Sequence, residues 1–104
     1  MGETEQAVFQ KDGTVLTVRP CGRLDAVTAP EFGKQFGEQL DEEITEIVMD
    51  LAQVDYIASA GLRVLLVSVQ EMDERGGSMK LMHVREGIRE IFELTGFLDF
   101  VTLE

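Results

Sequence analysis

The chain is 104 residues long, a length that suits one domain spanning residues 1–104, and 44% of it is hydrophobic, enough to build a core. Nine basic residues face twenty acidic ones, a net charge of −11. This argues against nucleic acid and anionic membrane surfaces as ligands, which need clustered Lys and Arg, and favours a basic patch on another protein.

Taken in order, Ala7 to Gln10 and Thr14 to Arg19 are short strand-like runs around Lys11-Asp12-Gly13, a hairpin signal. The second run can continue to Leu24. Thr28-Ala29-Pro30-Glu31 has the form of a capping box, with Thr28 as cap and Glu31 reaching back. Phe32, Phe36 and Leu40 then repeat at helical spacing, while Gly33 and Gly37 weaken that helix and permit close packing. Ile44 to Leu51 is a short, nearly continuous apolar run, expected to be a strand covered on both sides. Tyr56-Ile57 closes a short link.

Ser59 to about Glu74 predicts a helix burying Leu62, Leu65, Leu66, Val69 and Met72, with Val64 and Val67 off the stripe and Arg75-Gly76-Gly77 as its stop. Met79 to Val84 predicts a strand. Glu86 to Thr95 predicts a third helix, burying Ile88, Ile91 and Phe92 and ending at Gly96. Phe97 to Leu103 predicts a last strand. The order ββαβαβαβ implies an α/β fold: a mainly parallel central sheet with an antiparallel N-terminal edge strand, and helices packed on it.

Catalytic constellations are not evident. His83 is the one histidine, in a strand-like run, and reads as structural; Cys21, the one cysteine, reads as a buried thiol. Together they cannot build a four-ligand metal site. No Gly-x-Gly-x-x-Gly or Walker loop and no Gly-x-Ser-x-Gly elbow occurs, and Asp41-Glu42-Glu43 reads as a solvated loop. No enzyme activity and no cofactor is therefore expected. The acidic start and the absence of a long apolar run point to a cytoplasmic protein with no membrane insertion.

What remains is the turn Asp55-Tyr56-Ile57-Ala58-Ser59-Ala60-Gly61-Leu62. Spacing alone makes Ser59 an N-cap. A functional reading is equally physical, because a helix N-terminus favours added negative charge. Phosphorylation there adds about −1.5 to −2 charges without melting the helix.

This turn resembles the signature of the STAS domain family, found in bacterial anti-sigma-factor antagonists and in sulfate-transporter C-terminal domains. Ser59 matches the family's phosphorylated serine, and Gly61 and Leu62 its glycine and leucine. Ala58 stands where the family usually has Asp, and Ala60 where it has a second hydroxyl. Upstream, Gly22-Arg23-Leu24-Asp25 with Thr28-Ala29 resembles the family's Gly-x-Leu-Asp turn. Asp50-Leu51, Gly76-Gly77 and Leu94-Thr95-Gly96-Phe97 also fit.

The resemblance implies a STAS-like domain that acts by partner switching in transcription regulation. Unphosphorylated, such a protein binds an anti-sigma factor that is also a serine kinase. Phosphorylation of Ser59 releases it, and a PP2C-type phosphatase restores it. The expected docking surface comprises Asp25, Ala58, Ser59, Ala60, Gly61 and Leu62, extended along the helix by Arg63, Val64 and Val67. The small residues let a partner approach the backbone. The plain reading of Arg63 is a solvated side chain; that of Val64 and Val67 is partial burial under a neighbouring loop. A monomer is expected when free. The alternative is a constitutive, unphosphorylated STAS subunit of a membrane transporter or signalling assembly.

Overall fold

The computed structural model describes residues 7–104. Its elements run β1 (Ala7–Asp12), β2 (Val15–Pro20), β3 (Gly22–Leu24), α1 (Ala29–Gln39), β4 (Glu46–Asp50), β5 (Val54–Ile57), α2 (Ser59–Glu74), β6 (Ser78–Met82), α3 (Glu86–Thr95), a 3-10 turn (Phe97–Phe100) and β7 (Thr102–Leu103). The main sheet has the order β1-β2-β4-β6-β7. β1 and β2 pair antiparallel, and every other pairing in that sheet is parallel. The α/β fold with an antiparallel N-terminal edge is thus the one expected from the order of elements.

Differences from the sequence reading are local. β2 does not run on to Leu24. The chain breaks at Cys21 and Gly22, and Gly22 takes φ 77, which suits glycine. Gly22–Leu24 then pairs in parallel with Val54–Ile57, forming a separate two-stranded sheet. The supposed link at Tyr56-Ile57 is therefore a strand. The last segment is mostly the 3-10 turn, and its strand is reduced to Thr102–Leu103. His83 lies beyond the end of β6 at φ 57; its exposed ring nitrogen Nδ1 sits 2.9 Å from Asp50 Oδ1. Cys21 is half-buried, not enclosed.

Packing follows the period of two in the strands. Leu16 and Val18 of β2, Ile47 and Met49 of β4, and Met79 and Leu81 of β6 are buried in one core with Phe32, Phe36, Leu65, Val69, Met72, Ile88 and Phe92 from the helices. Between them stand half-buried Thr17, Val48 and Lys80. β4 is therefore covered on one face, not two. Its other face carries charge: Glu46 pairs with Lys80 at 3.3 Å and Asp50 with Arg19 at 3.5 Å. Phe9 of β1 packs on Phe32 and Phe36 of α1, with ring centroids 6.3 and 6.1 Å apart, which fastens α1 to the edge strand.

Arg75 ends α2 and ties it down. Its guanidinium donates to the backbone carbonyls of Asp41, Ile44 and Leu40 and pairs with Glu71. One side chain thus satisfies orphan carbonyls of the loop between α1 and β4. Among the described residues no helix is long and apolar enough to cross a membrane.

Candidate functional site

The two motifs singled out in the sequence are brought together by the small sheet. Leu24 and Ile57 are register partners, and the Leu24 carbonyl accepts from Ala58 N–H at 2.9 Å. The Asp25 turn and the start of α2 therefore leave adjacent strand ends. Gly61 tightens this junction. It is buried, and a Cβ there would lie 2.5 Å from Leu24 O and 2.7 Å from Leu24 Cβ. Its role in the fold is close approach between α2 and β3.

Ser59 is not the cap of α2. Ala58 holds the N-cap position, with φ −109 and ψ 179, and no side chain bonds to the helix start. The reason is the strand pairing. Leu24 holds the Ala58 amide in the extended ladder, so the helical turn begins one residue later. Ser59 is the first helical residue and is exposed.

The capping box is also replaced. Thr28 has helical dihedrals and no cap bond. Its hydroxyl donates to Arg23 O at 2.7 Å and accepts from Asp25 N–H at 3.0 Å. Asp25 does the turn-closing work instead: its Oδ1 accepts from Val27 N–H at 3.0 Å and Thr28 N–H at 3.1 Å. Its Oδ2 accepts from Arg23 Nε at 3.1 Å. The Thr28 N–H, followed by the Arg23 guanidinium, holds the Asp25 carboxyl below its ordinary value. The Arg23 guanidinium also lies 4.5 Å from the centre of the Tyr56 ring. The turn is thus a fixed carboxylate with its charge already partnered.

The remaining candidates sort by exposure. Arg63 and Val67 are exposed, and Ala58, Ala60, Leu62 and Val64 are half-buried. Ser59, Leu62, Arg63, Leu66, Val67 and Gln70 line one shallow depression along α2. Val64 is covered by helix α1, not by a loop: a Cβ on Gly33 would stand 3.3 Å from Val64 Cγ2. Val64 and Val67 also line a groove between α1 and α2 with Phe36 and Leu40. Val27, in the Asp25 turn, and Tyr56, under the Arg23 guanidinium, are further exposed apolar residues here that the sequence candidates did not include. Val27 is 84% and Tyr56 42% exposed. An apolar residue inside the polar turn Asp25-Ala26-Val27-Thr28 was the available signal for the first. Among the described residues no three His, Cys, Asp or Glu side chains stand together to hold a metal ion.

Comparison with known proteins agrees with this architecture. A protein of Bordetella bronchiseptica, BtrV, named as a candidate anti-sigma factor antagonist, is 42% identical over 53 residues, 51% of this chain and 46% of its own. The match thus spans less than half of that relative. The anti-sigma-B factor antagonist of Listeria monocytogenes is 24% identical over 97 residues, 93% of this chain and 85% of its own. The crystal structure of an anti-sigma factor antagonist from Mycobacterium paratuberculosis superposes with a TM-score of 0.82, at 24% identity, over 93% of this chain and 82% of that one; this is a likeness of fold. The model of the STAS domain matches residues 6–104, and the chain belongs to that family.

Proposed function

We propose that this protein is an anti-sigma-factor antagonist that works by partner switching. In its unphosphorylated form it docks on an anti-sigma factor with serine kinase activity through the Asp25 turn and the exposed side of α2. The kinase transfers the γ-phosphoryl group of ATP to Ser59 Oγ, releasing ADP and a proton. A PP2C-type phosphatase hydrolyses the phosphoserine. The protein is substrate and ligand in this cycle, not catalyst, and acts in the cytoplasm as a monomer when free.

The observation that carries the reading is the state of Ser59: exposed, first in the helix, and free of any capping duty. A hydroxyl with a structural role could not be modified without cost to the fold, whereas this one can. The added charge must be stripped of water wherever a partner covers it, and this desolvation opposes a buried interface. Relatives named for anti-sigma factor antagonism support the partner class.

The test is intact-mass analysis of the protein from its native cells, with and without stress, followed by site mapping. A single phosphate that disappears in Ser59→Ala supports the switch. A protein unmodified under every condition favours the second reading, a constitutive interaction subunit. Ala58 in place of the family's usual Asp is the observation on that side.

A further inference from the structure

We propose that Arg63 is the internal counter-ion of phosphorylated Ser59, so that modification takes up within the chain a guanidinium otherwise open to a partner. The inference rests on Ser59 being the modified residue and deepens that reading.

Ser59 and Arg63 are separated by four positions on α2. Side chains at that spacing share one face, and helical side chains lean towards the N-terminus, so Arg63 reaches towards Ser59. The order is the favourable one, with the acidic group placed ahead of the basic one. Both residues line the same depression, with Leu62, Leu66, Val67 and Gln70.

Arg63 is also available. Lys11, Arg19, Arg23, Arg75, Lys80, Arg85 and Arg89 each pair with a carboxylate. Among the described residues Arg63 has no such partner, on a chain with twenty acidic residues to nine basic ones. Lys34 has none either, but it lies on α1 and does not line this depression. With no carboxylate partner among the described residues, and beside exposed Val67 and half-buried Leu62 and Leu66, this guanidinium is open to a partner. A phosphoserine brings three strong acceptor oxygens within reach of the same donor. Once it is present, Arg63 is satisfied within the chain.

The test uses the full chain with phosphoserine installed at position 59 during synthesis, so no kinase is needed. The second ionisation of the phosphate is followed by phosphorus NMR against pH, in this chain and in Arg63→Gln. The expected result is ionisation at lower pH when Arg63 is present, by about 0.3 pH unit or more at low ionic strength, shrinking as salt is added. The helix N-terminus contributes equally to both proteins, so the difference isolates Arg63. Superimposable titrations, with circular dichroism showing both chains folded, overturn the proposal. That failure is distinct from failure of the switch itself, which appears as an unmodified Ser59 in cells.

Discussion

The side-chain space of Gly61 is filled by the backbone of Leu24, whose carbonyl oxygen lies 2.5 Å from where a Cβ at Gly61 would stand. That carbonyl is also the acceptor for Ala58 N–H. One peptide group therefore fixes both the start of α2 and its distance from β3. Gly61→Ala gains up to about 1 kcal/mol of helix propensity but must push against backbone, at about 1–3 kcal/mol for overpacking. The expected outcome is net destabilisation of about 1–2 kcal/mol in urea unfolding. An unchanged midpoint would mean that α2 can shift away from β3 freely.

Ala58 is sensitive to substitution in stability and Ser59 is not. Ala58→Ser supplies the missing N-cap acceptor and is expected to stabilise by about 0.5–1.5 kcal/mol. Ser59→Ala removes a hydroxyl that caps nothing, and its effect should stay within about 0.5 kcal/mol. Thermal melts of the two variants decide the matter. A large loss in Ser59→Ala would show that the serine does cap the helix.

The Asp25 turn gives stability a definite pH dependence. Its carboxyl is held below the ordinary value of 3.8, first by the Thr28 N–H and then by Arg23. A carboxyl lowered in the folded state stabilises fully above its unfolded pKa, and that contribution fades as pH falls through the folded one. Asp25→Asn should therefore be less sensitive to acid than the parent between about pH 5 and pH 3. Asp41, lowered by Lys11, and Asp50, lowered on balance by His83, Ala52 and Arg19 against its burial, remain in both chains and cancel in the comparison. Parallel curves of unfolding midpoint against pH would refute the assignment.

Val67 and Leu65 separate surface from core on one helix. Leu65 is fully buried, whereas Val67 is 57% exposed. Leu65→Ala should cost about 2–5 kcal/mol, while Val67→Ser should leave stability within about 0.5 kcal/mol. If α2 is the docking face, Val67→Ser should still weaken capture of the cognate kinase, measured by calorimetry with the purified pair. Equal affinity would place the interface elsewhere.

The long apolar patterns were legible in the sequence. Phe32-Phe36, Leu65-Val69-Met72 and Ile88-Phe92 have the spacing of buried helical faces, and α2 and α3 begin and end where their stop signals place them. The resemblance of the Ser59 turn to the family signature was equally readable. What escaped was decided by contacts distant in sequence. Nothing local to Gly22-Arg23-Leu24 or Val54-Asp55-Tyr56-Ile57 announces that they pair with each other. That pairing holds Ala58 extended, so Ala58 and not Ser59 takes the cap position, and the cap at Ser59 failed for a tertiary reason. The Thr28 box failed because Asp25, three residues earlier, takes the Thr28 N–H that Glu31 would have accepted, and the Thr28 hydroxyl is turned to Arg23 O. The two-sided burial expected of β4 failed because Val48 is flanked by Thr17 and Lys80, and one apolar residue does not make a buried face.

The uncapped start of α2 leaves the side chain at position 59 outside the architecture of the fold. Ala58 and the strand pairing behind it establish where the helix begins, so position 59 is left without a structural constituency. Its side chain can change in size or charge without moving the point at which the helix starts, which Leu24 and Ala58 set.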